Sequence, residues 1–80
     1  MIDNAEIETR FALSEVKFVQ VSGDGYHYQI TVVSDVFLQQ SRVNRHKWVY
    51  SKLQDWITAG KLHAININAL TVNEWEQKNG

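Results

Sequence analysis

Eighty residues with a net charge of −1 and no cysteine describe one small domain, residues 1–80, in which only about 60% of the surface of the unfolded chain can be buried. Lacking thiols, the chain has no disulfide and no cysteine nucleophile, and cannot hold a sulfur-ligated metal cluster alone. With no apolar run of membrane-spanning length and no signal-like N-terminus, it reads as a soluble cytoplasmic protein.

Charge is two-sided: residues 1–40 carry two Lys/Arg against six Asp/Glu (−4), and residues 41–80 carry six against three (+3). Asp3 followed by Glu6 has the form of a capping box and predicts a first helix over about residues 4–13. Residues 16–22 (VKFVQVS) and 26–34 (YHYQITVVS) are rich in β-branched and aromatic side chains, and the Gly23-Asp24-Gly25 between them can supply the positive φ of a hairpin. Two antiparallel strands are expected. From 41 to about 59, Val43, Val49, Tyr50, Leu53, Trp56 and Ile57 fall within an arc of roughly 140° at 100° per residue, which predicts one central helix with that arc inward. Gly60 ends it as a left-handed cap, and Lys61 lies near the negative end of its dipole. Residues 62–70 (LHAININAL) alternate as a third strand, and Thr71 with Glu74 opens a last short helix bearing Trp75. The order is α-β-β-α-β-α, without linker or repeat.

Three histidines are the side chains able to ligate a borderline metal or titrate near neutrality. His46 falls in the middle of the apolar arc, where a hydrogen-bonded core histidine is the first expectation and a functional role the second. His63 opens the third strand on the side of Ile65 and Ile67, at the rim of the core; spacing alone favours a strand anchor. His27 shares the wetter face of its strand with Gln29 and Thr31. Their separations match no local zinc template, no serine sits in a nucleophile elbow, and Gly23-Asp24-Gly25 is too short to cradle a phosphate. The reading is not that of an enzyme. Arg45, Trp48 and Lys52 fall outside the arc, so an indole is expected on the polar face, with the Lys52 ammonium against it at i, i+4.

Taken together, Arg45-His46-Lys47, Val49-Tyr50, Leu53, Leu62-His63-Ala64-Ile65 and Thr71 with Glu74-Trp75 resemble the BolA family, in its short bacterial branch. Gly23-Asp24-Gly25-Tyr26-His27-Tyr28 and Val33-Ser34-Asp35-Val36-Phe37 extend the likeness over about residues 16–75. The resemblance implies a single BolA-like α/β (α+β) domain, with a three-stranded sheet backed by helices as in the type II KH arrangement. It also implies a partner, a monothiol glutaredoxin, and a shared [2Fe-2S] cluster in iron–sulfur handling, iron homeostasis and the stress response. In that scheme the glutaredoxin and its glutathione bring thiolates, and this chain brings His63 of the His-Ala motif with a second ligand from the hairpin, His27 or, less favoured, Asp24. The isolated protein would carry no cofactor and would be a monomer or a weak homodimer. Arg45, His46, Lys47, Trp48 and Lys52 would form part of the docking surface.

The alternative is a nucleic-acid-binding transcriptional regulator using Arg42, Arg45, Lys47 and Lys52. Against it stand the mildly acidic charge and Phe37-Leu38-Gln39-Gln40-Ser41-Arg42 where a KH domain has Gly-x-x-Gly. Two departures from the family pattern bear on backbone geometry. Gln39 stands where many members have glycine, which predicts strain if φ is positive there, and Val72 stands where many have proline, which removes a preorganised helix start.

Overall fold

The computed structural model describes residues 2–79. Its elements are α1 (Asn4–Arg10), β1 (Phe18–Gly23), β2 (His27–Val33), a 3₁₀ turn (Asp35–Phe37), α2 (Arg42–Ser51), α3 (Gln54–Thr58), β3 (Ala64–Leu70) and α4 (Val72–Asn79). This is the predicted order, with the long central helix divided in two. The sheet order is β1-β2-β3: β1 pairs antiparallel with β2, and β3 lies parallel on the other side of β2.

Period two divides the sheet into two faces. Tyr28, Ile30 and Val32 of β2, Val21 of β1 and Ile67 of β3 turn inward, where Ile7, Phe11, Phe37, Val49 and Leu53 complete the core. The opposite face carries Gln20, Ser22, Gln29, Thr31, Asn66 and Asn68 in facing rows. At one end of this polar face Trp75 of α4 stacks on Phe18 with ring centroids 5.1 Å apart, over a fully buried Val33. Elsewhere the polar rows stay open.

The central helix differs from the predicted one in length and in orientation. Its inward stripe is Arg45, Trp48, Val49, Lys52 and Leu53, the i, i+3, i+4, i+7, i+8 spacing of a helix face. Trp48 lies between Phe11, at 6.4 Å, and Phe37, edge-on at 5.4 Å. Val43 and Tyr50, expected inside, are 62% and 37% exposed. The predicted contact of Lys52 with Trp48 is present, Nζ lying 4.8 Å from the ring centroid, but against a half-buried ring rather than one on a wet face. A cation over an indole is compatible with burial of both stems, and hydropathy spacing has no means of registering it.

The helix breaks at Lys52 and Leu53. The Lys52 amide turns back to Val49 O at 3.1 Å and the Leu53 amide to Tyr50 O at 2.9 Å, a tightening that draws Leu53 fully into the core. Arg10 covers the break: Nη1 donates to Lys52 O at 3.0 Å, the guanidinium grips Asp55 at 2.7 and 2.9 Å, and its centre lies 3.6 Å above the Trp56 ring. α3 then ends as read from Gly60, whose φ of 72° allows Gly60 N to reach Ile57 O (3.1 Å) and Lys61 N to reach Trp56 O (2.9 Å), a Schellman motif.

Both family departures have structural counterparts. Gln39 has a φ of 61°, the left-handed conformation that costs a side chain about 1 kcal/mol or more. At Val72 the amide that proline would lack donates to Asp35 Oδ1 at 3.1 Å, joining α4 to the 3₁₀ turn.

Candidate functional site

The hairpin at residues 24–26 is built by its glycines and its aspartate. A Cβ on Gly23 would lie 2.5 Å from His27 O and 2.7 Å from Tyr28 Cδ1, so close approach rather than φ requires glycine there; Gly25 supplies the positive φ, 98°. Asp24 Oδ1 accepts from the amides of Tyr26 and His27, both at 2.9 Å. These two bonds, that from His27 first, hold the Asp24 carboxyl below its ordinary range. Asp24 is thus the residue that turns the hairpin, and one of its oxygens is already engaged.

Immediately after the turn, alternation sends Tyr28 into the core, where its hydroxyl donates to Ile2 O, and leaves His27 exposed on the polar face. His27 lines a cleft of about 540 Å³ with Ser22, Asp24, Gln29 and Asn66. Gln29 and Asn66 are joined across the strands, Asn66 Nδ2 donating to Gln29 Oε1 at 3.2 Å. Spacing did not single out these carboxamides as site residues. The period shared with His27 was a signal for Gln29, and the parallel neighbour strand brings Asn66 beside it.

The register decides what happens to the distant histidine. Ala64 of β3 pairs with His27 of β2, so His63, one residue before Ala64, stands at the same end of the sheet as His27. Neighbouring strands lie about 4.8 Å apart. The chain reaches this point through the Gly60 turn and the buried Leu62, and His63 itself is exposed. It stands outside the strand rather than at the core rim beside Ile65, where alternation had put it, and it is not among the residues lining the His27 cleft. Neither imidazole has a hydrogen-bond or ion-pair partner among the described residues. No group of three His, Cys, Asp or Glu that could hold a metal occurs among the described residues. Two imidazoles at one end are a donor set that needs further ligands from elsewhere to close a coordination shell.

The basic residues of α2 divide into two groups. The Arg45 guanidinium is engaged on every side: Nε to Gln40 O at 3.0 Å, Nη1 to Ala69 O at 3.1 Å, and Nη1 to Glu74 Oε1 at 2.8 Å, with the side chain only 17% exposed. Glu74 also accepts from the Thr71 amide at 2.8 Å, and Thr71 Oγ1 accepts from the Glu74 amide at 3.2 Å, the reciprocal cap read from the sequence. The Arg45 bond and then the Thr71 amide hold the Glu74 carboxyl low. Lys52 lies over Trp48. Arg42 and Lys47 are the exposed cations. His46 is no core histidine: it is half-exposed and, with Arg42 and Arg45, lines a second cleft of about 730 Å³ between α2, β3 and α4. The predicted arc is right at Val49 and Leu53, which are buried, and at Trp56 and Ile57, which pack on the core, and wrong on its Val43, His46 and Tyr50 side, which faces outward.

Comparison with known proteins agrees with this architecture. The BolA-like protein family profile matches residues 3–74. The chain belongs to the BolA family. Acid stress protein IbaG of Escherichia coli K12 is 40% identical over 76 residues, covering 92% of this chain and 89% of that protein, in keeping with the short bacterial branch. Among solved structures, a BolA protein homologue from Coxiella burnetii superposes with a TM-score of 0.81 at 28% identity, covering 95% of this chain and 99% of that one. Yeast Fra2 superposes with a TM-score of 0.68 at 26% identity, covering 92% and 80%. This BolA-like chain is therefore a small α+β domain with a three-stranded sheet and four helices, and none of its helices among the described residues is long and apolar enough to cross a membrane.

Proposed function

We propose that this BolA-like protein is a non-enzymatic cytoplasmic adaptor that docks on a monothiol glutaredoxin and contributes His63, with His27 as the second imidazole, to a [2Fe-2S] cluster carried between them. The observation that supports this reading most is the β2–β3 register, which sets His27 opposite Ala64 and so gathers two exposed imidazoles, far apart in sequence, at one end of the sheet. The cluster is cargo. The partner and its glutathione bring thiolates; this chain brings ring nitrogens, which bind only when deprotonated. Imidazole in place of thiolate raises the reduction potential of an iron–sulfur cluster. Asp24 serves this end indirectly, since its carboxylate fixes the His27 backbone. On the docking side, Lys47 and His46 present polar groups outward while Arg45, Trp48 and Lys52 hold the helix that carries them.

The nucleic-acid reading has weaker support, because two of its four cations, Arg45 and Lys52, are engaged inside the molecule. Titration into cluster-loaded monothiol glutaredoxin tests the adaptor reading. The visible absorption and circular dichroism of the cluster are expected to change with the wild-type protein, to stay unchanged with His63→Ala, and to change less with His27→Ala. A wild-type titration that leaves both spectra untouched removes the proposal.

A further inference from the structure

The second cleft has a floor that the cluster reading does not use. β3 is an edge strand, and the direction of its peptide groups follows from two bonds: Leu70 O accepts from Ser34 N on the β2 side at 2.9 Å, whereas Ala69 O accepts from Arg45 at 3.1 Å on the outer side. Peptide groups alternate along a strand, so the amides and carbonyls of Ile67, which lines this cleft, and of Ile65, where the edge runs on beyond it, also face outward, and they have no partner among the described residues. Unpaired edges are what proteins usually blunt. The opposite edge has such a device at Val21, whose amide donates to Glu8 Oε2 at 3.1 Å. On β3 the corresponding device, Arg45, closes only the Ala69 end.

The rim of this cleft is electrically one-sided. Arg42 and Lys78 line it and are exposed, with no carboxylate partner among the described residues; His46 lines it as well; its acid, Glu74, is already paired with Arg45.

We propose that this cleft binds an extended, acidic segment of a protein partner as a fourth strand on the edge of β3. The partner's main chain pairs with Ile65 and Ile67, and its carboxylates meet Arg42 and Lys78. A nucleic acid is the poorer occupant, because alternating peptide donors and acceptors match another strand and not a sugar–phosphate chain. The edge meets the His27 cleft at Ile65, which lines that cleft, but the proposal does not rest on the cluster reading, since neither imidazole takes part.

The test uses the full chain, isotopically labelled, with acetyl-Glu-Val-Glu-Ile-Glu-Val amide as the probe. The amides of Ile65 and Ile67 are expected to shift in the NMR spectrum and to exchange with deuterium more slowly. Arg42→Glu with Lys78→Glu, both exposed and without an ion-pair partner among the described residues, is expected to weaken binding by about tenfold or more. Methylating the peptide nitrogens that would face β3 is expected to abolish it. Unchanged exchange at Ile65 and Ile67 at saturating peptide, equal binding of the lysine-for-glutamate peptide, or tighter binding of an oligothymidylate at physiological ionic strength would each overturn the proposal.

Discussion

The two ends of the sheet are built on opposite principles. Where β2 and β3 finish, nearly every polar group has an internal partner. Ser34, fully buried, donates to Glu15 O at 2.6 Å and accepts from Val36 N at 3.1 Å. Asp35 takes the Val72 amide, and Glu74 joins Thr71 to Arg45. Where β2 and β3 begin, the Asp24 carboxylate ties the turn, and two imidazoles project without hydrogen-bond or ion-pair partners among the described residues. A small domain with a thin core concentrates its order at one end and leaves ligand-type side chains free at the other. That division suits the adaptor role proposed above, because a donor already satisfied internally must break that bond before it can serve another molecule.

The sharpest way to break this contrast is at the closed end. Phe37 is fully buried against Trp48, and Phe37→Ala is expected to cost about 4 kcal/mol, enough to leave a domain of this size largely unfolded by circular dichroism. Glu74→Ala removes both the cap and the anion facing Arg45; a loss of about 1.5 kcal/mol is expected, read as a lower midpoint in chemical denaturation.

Acid sharpens the contrast from another side. Asp55 is held at about 2, chiefly by the Arg10 hydrogen bond, and Glu74 and Asp24 are also held low. Each folded-state value lies below that of the unfolded chain. Their stabilisation is therefore complete above the ordinary carboxylate range, near pH 4, and is lost as the pH falls through the folded values toward 2. A melting temperature that stays level from neutrality to about pH 5 and then drops is expected; a level profile down to pH 2 would contradict these pairings. The smallest effect belongs to the open end, where His27→Ala and His63→Ala are each expected to change stability by less than about 0.5 kcal/mol. A larger loss from either would mean that its ring supports the fold.

How much of this was legible in advance depends on the range of each signal. The turn at Gly25, the cap at Gly60 and the Thr71–Glu74 box were readable, because each depends on a backbone conformation settled within a few residues; the strain at Gln39 was readable only through the resemblance, from the glycine many family members have there. The orientation of α2 was legible only in part, at Val49 and Leu53. Hydropathy placed Val43 and Tyr50 inside, but Phe11 and Phe37 come from other elements, and the cavity they form accepts an indole with cationic stems beside it. An apolar arc records which residues avoid water, whereas the facing partners decide which of them succeed. Spacing likewise could not join His27 to His63, since nothing in either segment states that β3 lies parallel to β2 in the register that pairs His27 with Ala64. Composition, periodicity and capping thus determined the kinds of element, their order and their ends. Packing decided which side of the central helix is buried, and strand pairing decided which histidines share an end, because both depend on contacts between residues that the chain brings together only when it folds.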